Sequence, residues 1–202
     1  MNIYIFLYII IIYKHYIISM NIQQTFLENW KVICYLECLF ICQLQSFLPH
    51  PKDIKWIIKK PIKYISSPKK IKFYLFFFFL YKFKKGFRLM FAVYLSRQIN
   101  DFIKNLIKHK RPYKTYNWIK SDTKKENSYS LPSMSIQYTT IIYPTICDEL
   151  KIPYLANILY FLVSSSRILR GLHYPHDIII STFIGWVIKK NIMGKSFDFI
   201  FL

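Results

Sequence analysis

Apolar runs alternate with lysine clusters along most of this chain, and that alternation restricts the possible fold more than any other feature. Residues 52–72 hold eight Lys and one Asp, and residues 104–125 hold seven Lys and Arg111. Between and after them lie runs such as FYLFFFFLY (73–81) and FRLMFAVYL (87–95). Apolar blocks separated by basic loops suit helices whose cationic ends meet lipid headgroups. A formal charge of +19 would suit a disordered tail, but 53% hydrophobic residues in the same chain exclude one. A nucleic-acid binder would carry its basic residues within a recognition motif interleaved with aromatics. The sequence shows no such motif, so no nucleic-acid partner is expected.

The expected architecture is all-α, a polytopic membrane bundle of about five or six helices. Residues 3–13 read as a span, a signal-anchor or translated AT-rich non-coding sequence. The next candidates are 25–48 (carrying Glu28, Lys31 and Glu37), 73–81, 87–107, 135–147, 152–165 and 177–188. Several fall short of the roughly 20 residues that a perpendicular crossing needs. The chain divides into an N-terminal hydrophobic and basic region, 1–72, and a second region, 73–202, that carries the chemistry.

Cys34, Cys38 and Cys42 recur at i, i+4 and i+8, one stripe of a helix. Core packing of small apolar thiols is the plain reading, with lipidation or metal binding as alternatives. Cys147 is isolated, and no disulfide framework is legible.

Two constellations carry chemistry. The first is Lys104-x6-Arg111-Pro112, at the close of the 87–107 candidate. Two cations about two turns apart would lie near one helix face, with Pro112 ending the helix. The alternative is a snorkelling basic helix end. The second is Ser166-Arg167-x5-His173-x3-Asp177. His173 precedes Pro175, which suits the first turn of a new helix, and Asp177 falls in that turn. A carboxylate there can accept a hydrogen bond from one imidazole nitrogen and leave the other free to attack. Asp177 alone could be a helix N-terminal acid, and His173 alone an interfacial aromatic.

Together these residues resemble the type 2 phosphatidic acid phosphatase (PAP2) superfamily, whose pattern is K-x6-RP, PSGH, then SR-x5-H-x3-D. The flanks SRILRGLHYPHDII and INDFIKNLIKHKRP are similar to the sphingosine-1-phosphate phosphatase branch. The resemblance covers residues 87–188. It implies a metal-independent, cofactor-free phosphate monoesterase acting on a lipid phosphate, such as a sphingoid-base phosphate or phosphatidate. Lys104, Arg111, Ser133 and Arg167 would bind the phosphate, His173 would become a phosphohistidine, and Asp177 would orient it. An integral protein of the endoplasmic reticulum or another endomembrane is the implied setting.

The second motif departs from the pattern. In Leu131-Pro132-Ser133-Met134-Ser135, Pro132 and Ser133 match, but Ser135 stands where the family has histidine. A hydroxyl is too weak an acid to protonate a leaving alcohol, and loss of a general acid typically costs about 10²–10⁴ in rate. Only residues 136–165 separate Ser135 from Ser166, few for two crossings. Three readings stay open: an active lipid phosphatase, an impaired relative that binds lipid phosphate, and a structural membrane protein from an imperfect gene model. His176, and less readily His109, are candidates to replace the missing acid.

Overall fold

The structure is a computed structural model and describes residues 22–47, 68–119, 121 and 128–194. The candidate span at 3–13 and most of the first lysine cluster lie outside these residues. The described residues form helices only: α1 (Ile22–Phe47), α2 (Pro68–Tyr81), α3 (Phe83–Ile107), the single turn α4 (Pro112–Thr115), α5 (Met134–Glu149), α6 (Pro153–Leu169) and α7 (Pro175–Met193). The expected all-α bundle is therefore observed.

Local chemistry places the helix boundaries. Proline occupies the first turn of α4, α6 and α7, where its missing N–H has no helical partner to lose. Lys108, with φ 52°, closes α3 in the left-handed region, and Lys151, with φ 58°, turns the chain between α5 and α6. At the α2–α3 corner, a Cβ on Gly86 would stand 2.4 Å from the Phe79 Cα, so only glycine fits.

Helix α5 is the centre of the bundle and packs on α3, α6 and α7. Its apolar residues Ile141 and Ile142 join Leu89, Ala92, Ile99 and Ile103 of α3 and Ile184 and Ile188 of α7 in the main core. Polar residues are also buried on α5, and several are paired. Thr140 and Thr145 donate to the carbonyls one turn back, at 2.9 and 2.7 Å, and Gln137 Oε1 accepts from Ser96 of α3 at 2.8 Å. Gly185 lets α7 approach α5 closely, since a Cβ there would lie 3.0 Å from the Thr140 Cβ and 3.1 Å from the Gln137 carbonyl oxygen.

The outer faces of the bundle expose many apolar side chains. Phe76, Phe77, Phe87, Phe91, Phe161 and Ile179 are all exposed. Yet no helix among the described residues is long and apolar enough to cross a membrane. Helices α5 and α6 have only 16 and 17 residues, while the longer α3 carries several charges.

Candidate active site

Three chain segments meet at one end of the bundle. The loop after α3 runs into α4, the segment 128–133 leads into α5, and the link 170–174 joins α6 to α7. Backbone hydrogen bonds tie them together. Ser130 N–H donates to the His109 carbonyl at 2.7 Å, and Tyr113 N–H donates to the Gly171 carbonyl at 3.3 Å. Main-chain pairing thus brings the segments that carry Arg111, Ser133, His173 and Asp177 together.

Arg111 does not share a helix with Lys104. α3 ends at Ile107, and Arg111 is the N-cap of α4, with Pro112 as its first residue. Pro112 therefore starts a helix rather than ending one, because Lys108 in the left-handed region has already turned the chain. Lys104 stays on the last turn of α3, half-buried. Arg111 is only 3% exposed. Its Nε and Nη2 donate to the Ser128 carbonyl and hydroxyl at 3.0 and 2.9 Å, and its Nη1 donates to the Leu172 carbonyl at 3.0 Å. A guanidinium held on three sides cannot swing away, so its charge is fixed in place.

The same Nη1 lies 3.5 Å from His173 Nε2. The other ring nitrogen, Nδ1, faces Asp177 Oδ2 at 3.5 Å, a spacing that leaves room to tighten when the site fills. Burial drives the His173 pKa down to about 4. Asp177 works against that shift, and the cations Arg111 and Arg167 reinforce it. The imidazole is consequently neutral at pH 7, with a lone pair available.

Asp177 is fully buried at the third position of α7. Its Oδ2 accepts the Tyr174 N–H at 2.9 Å, one half of a capping box, and also the Ser130 hydroxyl. Ser181, one turn further along α7, donates to the Asp177 carbonyl and accepts the Ser133 N–H at 2.6 Å. Ser133 caps α5, and its hydroxyl is buried without a partner among the described residues. Asn100 of α3 supports the same segment by donating to the Pro132 carbonyl at 3.2 Å. Arg167 sits on the last turn of α6, buried, and acts electrostatically on His173.

Sequence reasoning missed Ser130, Ser181, Asn100 and Glu37. Only Ser181 left a readable signal, one helical turn after Asp177 in the run beginning PHDIIIS. The two candidates for a replacement acid lie on the other side of Asp177. His176 Nδ1 is 2.5 Å from Glu37 Oε2, and its Nε2 is 3.3 Å from Asp177 Oδ1. His109 Nδ1 lies 3.8 Å from that same Oδ1. Ser135 occupies the second position of α5.

A comparison with curated proteins finds no match. Among solved structures, the transmembrane PAP2-type phosphatidylglycerolphosphate phosphatase of Bacillus subtilis is similar with a TM-score of 0.67 and 17% identity, over 95% of this chain and 94% of that one. LpxE of Aquifex aeolicus is similar with a TM-score of 0.61 and 20% identity, over 78% of this chain and 94% of that one. At these identities the likeness establishes a shared helical fold. The model of the PAP2 superfamily matches residues 85–197, which include every residue of the three motifs and more than half of the chain, and by that match the chain belongs to the PAP2 superfamily.

Proposed function

We propose that this protein is an integral-membrane lipid phosphate phosphatase that works through a phosphohistidine. The observation that carries the reading is the setting of His173: a buried, neutral imidazole with one nitrogen against a fixed guanidinium and the other against a buried carboxylate. A phosphate drawn to Arg111 would arrive beside Nε2, positioned for in-line attack. Arg111, Arg167 and Lys104 would neutralise its equatorial oxygens. The unpartnered Ser133 hydroxyl and the start of α5 add donors of the kind that suit an anion.

In the first step the His173 Nε2–phosphorus bond forms and the bond from phosphorus to the ester oxygen breaks. Positive charge grows on the imidazole, and Asp177 stabilises it. In the second step water attacks phosphorus, the P–N bond breaks, and phosphate leaves with the imidazole neutral again. Exposed aromatic and aliphatic side chains around the bundle suit a lipid surround, and the substrate class that fits is a phosphate monoester with an acyl or sphingoid tail. Localisation to the endoplasmic reticulum or another endomembrane belongs to the same reading.

Ser135 favours a slow version of this reaction. His109 and His176 approach Asp177 Oδ1 rather than the Arg111 side of His173, so the leaving alkoxide would take its proton from water. The enzyme is then expected to prefer esters with acidic leaving groups. Purified chain in detergent, given sphingosine-1-phosphate, phosphatidate and an aryl phosphate, tests both points. Turnover of any of them, with an acid-labile phosphoenzyme absent from His173→Ala, supports the proposal. Equal phosphate release by wild type and His173→Ala refutes it.

A further inference from the structure

Behind the carboxylate of Asp177 lies a second cluster that the phosphatase reaction does not use. Cys34 of α1, His109 of the α3–α4 loop and His176 of α7 each bring one ligand atom within 4.8 Å of the other two. We propose that these three residues form a zinc site.

The Cys34–His109 edge of the cluster suits that ion. Cys34 Sγ and His109 Nε2 are 3.7 Å apart. Tetrahedral zinc, with bonds of about 2.3 Å to sulfur and about 2.0–2.1 Å to nitrogen, sets that separation at about 3.6 Å. One thiolate and two imidazoles form a donor set matched to a borderline-soft divalent ion rather than to magnesium or calcium. A fourth position remains for water or for Glu37, one turn along α1 from Cys34.

The surroundings supply what metal-bound imidazoles require, an acceptor for the second ring nitrogen. With His109 Nε2 on the ion, its Nδ1 points to Asp177 Oδ1 at 3.8 Å. For His176, Nδ1 is beside Glu37 and Nε2 beside Asp177 Oδ1, so whichever nitrogen takes the ion, the other has a carboxylate. His109 Nδ1 and His176 Nε2 are both buried beside Asp177 Oδ1 without a well-formed hydrogen bond to it. Both rings are already held in place. Tyr174 stacks on them at 4.9 and 5.1 Å between centroids, and Trp30 lies 4.5 Å from His176. Thiolate and zinc together would bring one net positive charge to a pocket that contains Glu37 and Asp177.

The consequence is architectural. Helix α1 lies outside the 85–197 region shared with the superfamily. Zinc would clamp it to the two segments that hold Arg111 and Asp177, and would fix Asp177 from the side opposite the nucleophile. The proposal stands apart from the phosphatase reading, because metal binding is measured without turnover.

The test uses the full chain purified in detergent from zinc-supplemented cells. The expected result is about one zinc per chain, retained by His173→Ala. In Cys34→Ala and His109→Gln, zinc affinity is expected to fall by at least 100-fold, beyond the roughly 10–100-fold cost of losing an outer-shell partner. Cobalt substitution should give a thiolate-to-metal charge-transfer band that survives Cys38→Ala and Cys147→Ala. Absence of zinc and of that band in the wild-type protein overturns the proposal even if the ligand variants fail to fold. Undiminished zinc in both ligand variants overturns it as well.

Discussion

Replacing Asp177 by Asn isolates what the buried carboxylate does. The substitution keeps shape and one acceptor oxygen. That oxygen can retain the Tyr174 N–H and the Ser130 hydroxyl, while the new amide faces His176 and His109. What disappears is a unit negative charge 3.5 Å from His173 Nδ1. During phosphoryl transfer that nitrogen acquires positive charge. At an effective dielectric of about 20, the lost attraction is about 5 kcal/mol. Only part of it is realised before the bond is fully formed, so kcat should drop by about 10³-fold. The ground-state imidazole is neutral and the phosphate is held by other residues, so phosphate affinity should change by less than about threefold. The assay is phosphate release by purified Asp177→Asn at saturating substrate, together with competitive inhibition by inorganic phosphate. A loss in kcat smaller than tenfold would refute the charge argument. A loss expressed wholly in KM would also refute it, because Asp177 would then be part of the phosphate cradle.

Other expectations follow from the same geometry. Burial holds the His173 pKa near 4, so an isotope-resolved imidazole titration should show this ring neutral down to about pH 5; a midpoint near 6.5 would mean that it is solvated. For stability, a base whose folded pKa is depressed costs nothing above its unfolded value of about 6.5. As pH falls from there toward 4, only the unfolded chain takes up the proton, so folding weakens by about 3 kcal/mol. That acid sensitivity should be reduced in His173→Asn, as read by thermal unfolding at pH 7 and pH 4.5. Ser135→His should raise kcat on an alkyl phosphate by about 10²-fold or more and leave an aryl phosphate nearly unchanged, because only the alkoxide needs the proton. Equal gains on both substrates would contradict a general-acid deficit. Gly185→Ala should lower the unfolding temperature, because its methyl would press on Thr140 and the Gln137 carbonyl; overpacking of this kind costs about 1–3 kcal/mol.

Much of the fold could be read from punctuation. Pro153 and Pro175 mark the starts of α6 and α7, and lysine clusters flank α2 and α3. The 73–81 run is the end of a longer helix that starts at Pro68 and carries lysines in its first turn, where hydropathy gives no signal. Site residues within one motif were legible because they are local: His173 stands just before α7 and Asp177 in its first turn, four residues apart. Arg111 was legible as a cation but not in its placement, since nothing in KHKRP reveals that Lys108 adopts a left-handed conformation. Glu37 was not legible at all as a partner of His176, because 139 residues separate them and only the packing of α1 brings them together. Ser130 is similar, a serine among several whose hydroxyl meets Asp177 only after the segment pairs with His109.

The shortness of α5 and α6 bears on the bilayer itself. At 16 and 17 residues they span about 24 and 26 Å, less than an average hydrocarbon thickness of about 30 Å. If the bundle sits in a bilayer as the proposed function requires, such a hairpin at its centre would relieve the mismatch by thinning the lipid beside it or by drawing headgroups inward along its flanks. Thin membranes would then hold it with less distortion than thick, sterol-rich ones. Activity reconstituted in bilayers of graded acyl length would show this as an optimum displaced toward the shorter chains.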